Sequence, residues 1–277
     1  MSYIESTKLN LKLINKISYK YTFSICTLVT NKIEYHEMLQ SFLNKGFTSE
    51  ECEFLYIDNT KGCGYEAYQG LNLFLQQAKG QYIIICHQDI VLIDDDKKQL
   101  LKCIEEINYL DPDWGILANA GGINFKWIVS YLTPKNGVRH PQKNLPLRTK
   151  TIDENFMLVK NDANLSLSHD LKGFHFYGTD ICLIAKILGY NSYIIRFNLL
   201  HKSDGTIDSS FYTQRKALIK KYRNVFKNRF LSTTTTRFYI SSNVILHHLI
   251  NTQLISFFVI QYYKHVWHRK RYVPKRV

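Results

Sequence analysis

Tyr82-Ile83-Ile84-Ile85-Cys86-His87-Gln88-Asp89 is the stretch on which the fold turns. It runs apolar without a break as far as Cys86, then becomes polar at once with His87, Gln88 and Asp89. A strand without alternation is apolar on both faces and must be covered on both, which is the condition of a central strand in a parallel sheet. Such a sheet offers ligands the crevice outside the carboxyl ends of its strands, so the polar cluster stands at the functional edge.

The flanking sequence repeats the same unit. Upstream, Phe23–Val29 and Glu53–Ile57 read as strands, ending on Thr30-Asn31 and Asp58-Asn59. A polar helical stretch to about Lys45 follows the first, and a helix from Gly62-Cys63-Gly64 to Ala78 follows the second, closed by Gly80. Downstream, Asp94–Asp96 cap a helix to Leu110, where their carboxylates meet the positive end of the helix dipole. Trp114–Ala118 then supplies a fourth strand. Strands alternating with helices of this length predict a parallel, doubly wound α/β sheet with helices on both faces. Residues 121–150 change character, with Gly121-Gly122, an aromatic strand fragment at Phe125–Val129 and a basic loop. Thr151–Lys160 alternates like a strand, Thr179–Leu188 reads as a helix closed by Gly189, Tyr193–Phe197 as a strand, and residues 209–229 as a basic helix.

At 277 residues, 45% of them hydrophobic, the chain can bury a substantial core. Its +13 charge is unevenly spread: all 23 acidic residues lie at or before Asp208, with 22 of the 36 Lys and Arg. Residues 209–277 carry the other 14 cations and no acid. A near-neutral body with a cationic tail fits a surface that meets phosphate. The six cysteines show neither CxxC nor zinc spacing, so buried, reduced thiols are expected, and residues 1–20 lack the apolar core of a signal peptide. Both features suit the cytoplasm.

Thr30, Asp58, Asn59, His87, Gln88 and Asp89 converge on the sheet edge and form a candidate nucleotide pocket. Asp58 suits a base or ribose, and Asp89 suits a divalent cation that neutralises a pyrophosphate. An Asp after a strand is also an ordinary turn or cap residue. Phosphate-cradling glycine loops and dinucleotide fingerprints are absent.

Taken with His87-Gln88-Asp89, this order of elements resembles the GT-A fold of family-2-like inverting glycosyltransferases, closest to the streptomycin-biosynthesis StrF-type branch. In that family an Asp-x-Asp motif stands at this place and its last Asp binds the metal; Asp89 matches it, while His87 replaces the first Asp. Gly173-Phe174-His175-Phe176-Tyr177-Gly178-Thr179-Asp180-Ile181-Cys182 resembles the acceptor-side segment, where Asp180 matches the catalytic base and Thr179 replaces the usual Glu. Leu200-His201-Lys202-Ser203-Asp204-Gly205 resembles the late segment whose His completes the metal or diphosphate site.

The resemblance covers roughly residues 22–225. It implies a divalent metal (Mn or Mg) at Asp89 and His201, Asp180 as base, and a nucleoside-diphosphate sugar as donor. It further implies a glycan or lipid-linked acceptor, as in bacterial surface polysaccharide synthesis. Asp153, Glu154, His175 and Tyr177 are candidates for binding the acceptor, and Lys202 for a donor phosphate. The domain reading is an extension over 1–20, a transferase domain over 21–230 (nucleotide half 21–120, acceptor half 121–230) and a basic, partly apolar helical extension over 231–277.

Lys264–Arg276 holds six cations interleaved with Trp267 and Tyr272. That composition predicts docking on an anionic membrane surface, peripheral and on the cytoplasmic face, with no nucleic-acid partner expected. Residues 244–260 are apolar but carry His247, His248, Asn251, Thr252 and Gln253 and fall short of a membrane span. Two rival functions stay open: a nucleotidyltransferase on a similar sheet, and a non-catalytic nucleotide- or membrane-binding protein with a degenerate site.

Overall fold

The structure, a computed structural model, describes residue 13 and residues 17–62, 64–138, 144–203, 205, 207–233 and 235–265. Most of the 1–20 extension, Cys63 and the 266–276 part of the basic tail lie outside the described residues. Two compact units divide the chain, Met1–Leu218 and Ile219–Val277.

The first unit opens with β1 (Tyr21–Val29), α1 (Lys32–Asn44), β2 (Cys52–Asp58), α2 (Ala67–Gln77), β3 (Gly80–Cys86), the short β4 (Ile90–Val91), α3 (Lys97–Leu110) and β5 (Trp114–Ala118). These elements follow the alternation read from the sequence. Asn31 caps α1 by accepting from the amides of Ile33 and Glu34, and Asp96 caps α3 by accepting from Gln99. β6 (Ala120–Gly122), β7 (Ile128–Ser130), β8 (Leu147–Thr149), β9 (Thr151–Ile152) and β10 (Phe156–Lys160) follow, then α4 (Tyr177–Ile187), β11 (Asn191–Ile194), β12 (Leu200–His201) and α5 (Ser209–Val225), inside which the unit boundary falls.

The main sheet has the order β2-β1-β3-β10-β5-β11-β8. It is a mixed α/β sheet, mostly parallel as expected, except that β10 and β8 run against their neighbours. The reason lies in the connection. A parallel crossover from β5 would carry the chain back to the opposite edge before the next strand. Instead residues 119–155 contribute strands to the three-stranded sheet β7-β6-β9 and to β8, and β10 enters the main sheet from the carboxyl edge.

The core is built as the apolar runs require. Phe23, Ile25, Ile84, Leu117, Phe156 and Leu158 of the sheet are buried with Met38 and Phe42 of α1, Leu100, Ile104 and Ile107 of α3, and Trp114. Cys26, Cys52, Cys86, Cys103 and Cys182 are buried and free. The strand fragment expected at Phe125–Val129 lies later, at Ile128–Ser130, with Phe125 fully exposed. The strand expected at Tyr193–Phe197 ends at Ile194, although Ile195 and Phe197 remain buried. Periodicity reports burial in both places, and burial persists where ladder pairing stops.

The second unit holds the hairpin β13 (Arg229–Ser232) and β14 (Arg237–Ile240), then α6 (Val244–Ile250) and α7 (Gln253–His265). The break between the helices falls at Asn251-Thr252, within the polar residues noted above. Asn251 turns its side chain onto the hairpin, accepting from the Tyr239 amide at 2.8 Å and donating to the Tyr239 carbonyl at 2.9 Å.

Candidate functional site

Strand register decides which side chains meet. Val29 lies level with Asp58 and Cys26 with Ile85, so β1 and β2 finish together and β3 ends slightly short of them at the same edge. Phe156 pairs with Cys86 and Met157 with Ala118. Because β10 runs in reverse, residues 153–155 before it reach the same edge as His87 after β3 and Asn119 after β5. The His87 amide donates to the Asn155 carbonyl at 3.0 Å, fastening the two together.

His201 arrives by a separate route. β12 pairs antiparallel with β4, His201 opposite Ile90, and the Lys202 amide donates to the Asp89 carbonyl at 3.0 Å. One Asp89 oxygen then lies 3.5 Å from His201 Nε2 and 3.9 Å from His87 Nδ1. One ligand atom from each of the three residues falls within 4.8 Å of the others, the separation a single ion can bridge.

Protonation states suit a cation. Burial alone would raise the Asp89 carboxyl, but hydrogen bonds from His201 and Ser203 and the two imidazoles outweigh it and hold it well below the usual carboxylate range. The His87 ring edge reaches solvent, yet desolvation by the surrounding protein lowers its pKa, favouring the neutral imidazole that a metal requires. His87 Nε2 lies 2.9 Å from the Tyr177 hydroxyl, leaving Nδ1 on the Asp89 side. The donor set therefore fits a divalent metal, with Tyr177 as the outer partner orienting His87.

Thr30, His87, Gln88, Asp89 and Tyr177 line a cavity of about 280 Å³, completed by apolar residues including Leu28, Leu71 and Phe174. Gln88 braces its wall: Oε1 accepts from the amides of Thr30 and Asn31 at 2.7 and 2.9 Å, and Nε2 donates to Thr30 Oγ1 at 2.8 Å. Thr30 and Gln88 are thus brought together but spend these groups on each other.

Asp58 is exposed, its carboxylate held low by hydrogen bonds from Thr60 and a 3.0 Å ion pair with Lys32. Asn59 is buried and clasps its own loop, accepting from Gly64 and Tyr65 at 3.0 and 3.2 Å. Lys202 lies 2.5 Å from Glu37, an exposed acid that competes with any phosphate.

On the acceptor side the arrangement departs from expectation. Asp180, read as the catalytic base, is wholly buried in the first turn of α4 and accepts from the amide and hydroxyl of Ser168 at 2.8 and 2.7 Å. These bonds tie the first turn of α4 to Ser168. Asp153 is exposed and caps its own turn through Asn155. The His175 ring packs against Phe211 at 5.4 Å between centroids.

Glu154 is the carboxyl that turns toward Tyr177 and α4. Its Oε1 accepts from the Gly178 amide at 3.0 Å, and a Cβ on residue 178 would come within 2.7 Å of the Ile152 carbonyl and 3.1 Å of Glu154 Cγ. Only glycine leaves that room. Desolvation is the main cause that raises the Glu154 carboxyl to about 8, a range useful to a group that exchanges protons. Phe176, one residue before α4, sits at φ +66°, a conformation an aromatic residue rarely adopts and one that clusters at functional sites.

Two further residues carried no signal in the sequence. Asn119 and Asn155 are wholly buried, and both side-chain polar atoms of Asn119 and the Oδ1 of Asn155 lack a hydrogen-bond partner. Unpaired buried amides are rare and ask for a water or ligand. An Asn after or before an apolar strand reads as a turn residue until β10 is known to run backwards.

No family model matches the chain. Staphylococcus aureus TarS 1-349 in complex with UDP-GlcNAc is similar at a TM-score of 0.50 and 13% identity, over 88% of this chain and 73% of that one. That likeness concerns the fold, which is mixed α/β of the GT-A type with a mostly parallel central sheet. A Fuscovulum blasticum protein, "ATP synthase subunits region ORF 6", is 34% identical over 221 residues, 78% of this chain and 89% of its own length. At that identity and coverage the chain belongs to the family of this Fuscovulum blasticum protein, whose name states no activity.

Proposed function

We propose that the chain is an inverting glycosyltransferase that moves a sugar from a nucleoside-diphosphate sugar to a hydroxyl of a glycan or lipid-linked acceptor. The observation that carries this reading is the His87–Asp89–His201 cluster at the carboxyl edge of a GT-A-type sheet, beside the cavity walled by Thr30, Gln88 and Tyr177. The UDP-GlcNAc held by TarS, whose fold is similar, agrees with a donor of this class.

A divalent ion held by Asp89, His87 and His201 would supply positive charge to a departing diphosphate. The remaining work belongs to the chain. Tyr177 fixes the His87 ring so that Nδ1, not Nε2, faces Asp89. Glu154 is the group we assign to take the acceptor proton, because it is partly buried, accepts from the Gly178 amide at the start of α4, and is raised by desolvation to about 8. As the acceptor oxygen bonds to the anomeric carbon and the bond to the diphosphate breaks, the hydroxyl proton passes to a Glu154 oxygen. A single base without a nucleophile gives one displacement and inversion. Asp180 holds α4, and so Tyr177 and Gly178, in register beneath that group.

Titration calorimetry with UDP-, dTDP- and GDP-sugars, with and without Mn²⁺ or Mg²⁺, tests the reading. Binding of at least one nucleoside diphosphate that strengthens with metal and weakens in Asp89→Asn is expected. Silence toward every donor, with and without metal, would remove it.

A further inference from the structure

α7 is apolar on opposite sides, and among the described residues only one side lines a cleft. Ser256, Val259, Ile260 and Tyr263 line a cleft of about 600 Å³ against the hairpin, with Phe230 and Tyr239 across it. The other side carries Leu254, Phe257, Phe258 and Tyr262 at helical spacings, 55–68% exposed. α6 adds Val244, Ile245 and Leu249 at 51–79% exposed. A helix apolar all round is normally buried, and large apolar side chains left exposed along one face mark an interface.

Charge selects the occupant. The unit contains no acidic residue, and its cations include Arg237 and Lys264, which line the cleft between α7 and the hairpin, and Arg229 on β13. A second copy would bring the same cations against these, and self-association would gain no complementary charge. Nucleic acid would match the cations but leave Leu254, Val244 and Ile245 in water. Anionic lipid satisfies both features.

No single described helix is long and apolar enough to span a membrane; α6 and α7 reach that length and composition only as a pair, bent by 73° around polar Asn251-Thr252-Gln253. We infer that Ile219–Val277 is a membrane-docking unit that lays the outer faces of α6 and α7 into the headgroup region of an anionic bilayer, with its cations on the lipid phosphates.

Flotation of the full chain with phosphatidylcholine vesicles, with and without phosphatidylglycerol, tests this. The chain should float with the anionic vesicles and much less with neutral ones. Phe257→Asp with Phe258→Asp should abolish flotation, as should Ile245→Asp with Leu254→Asp on separate helices, while circular dichroism and nucleotide binding stay unchanged. Arg237→Gln and Lys264→Gln should each weaken binding about fivefold at low salt. The inference fails if the full chain stays unbound with anionic vesicles, or floats equally after the aspartate substitutions. A solution dimer that those substitutions split, with no vesicle binding, would give the surface to a second copy. Nucleotide binding is measured apart, so this inference and the transferase reading fail separately.

Discussion

At the scale of single residues, the sharpest question is which carboxyl moves the proton. Glu154→Gln keeps an oxygen for the Gly178 amide but cannot take a proton, so transfer should fall by about 10²–10⁴-fold with donor affinity retained. Turnover of the unsubstituted chain should rise with pH through about 8, where the Glu154 carboxyl ionises. Stability should move the other way. Folding raises this carboxyl from 4.5 to about 8, so in that window the folded chain holds a proton that the unfolded chain has released. The melting temperature should therefore drop as pH climbs from 5 to 8, with a flatter profile in Glu154→Gln. Asp180→Asn should behave differently. The Asn oxygen can still accept from the Ser168 amide and its NH₂ can donate to the Ser168 hydroxyl oxygen, but both bonds lose their charge, costing about 1 kcal/mol. Asp180→Asn melting at the normal temperature with no turnover would return the base to Asp180.

Elements set where those residues stand. Tyr177 is the first residue of α4, and its hydroxyl is the outer partner of His87. Tyr177→Phe should thus weaken Mn²⁺ binding by about 10–100-fold while the fold persists, read by calorimetry with metal and nucleotide. Unchanged affinity would detach α4 from the metal site. The caps are a milder test of how elements form. Asp96 is the N-cap of α3, and its side chain accepts from the Gln99 amide at 2.9 Å; Asp96→Ala should cost about 1 kcal/mol in urea unfolding. That cap was legible in the sequence because a cap is local chemistry. The direction of β10 was not: the single alternating strand expected over Thr151–Lys160 divides into β9 and a β10 buried on both faces, in different sheets, and no local pattern says which way a strand enters a sheet.

For the whole molecule, a ligand that binds only the folded chain should stabilise it. Mn²⁺ with UDP at 100-fold above Kd would add about 2.7 kcal/mol, a rise of roughly 5–10 °C in the melting of the sheet-bearing unit. Asp89→Asn should lose most of that rise. What the sequence determined by itself was the alternating α/β order, the near-coincident strand ends at Thr30, Asp58 and His87, and the separation of a neutral body from a cationic end. These follow from periodicity, capping and composition, each visible within a dozen or so residues. Tertiary structure alone decided three things. It brought His201 to Asp89 through the β4–β12 pairing, it turned residues 153–155 onto the sheet edge by reversing β10, and it closed Asp180 inside the protein. Each depends on contacts distant in sequence or on burial set by packing, and a carboxylate's accessibility and pKa come from what surrounds it rather than from its neighbours along the chain.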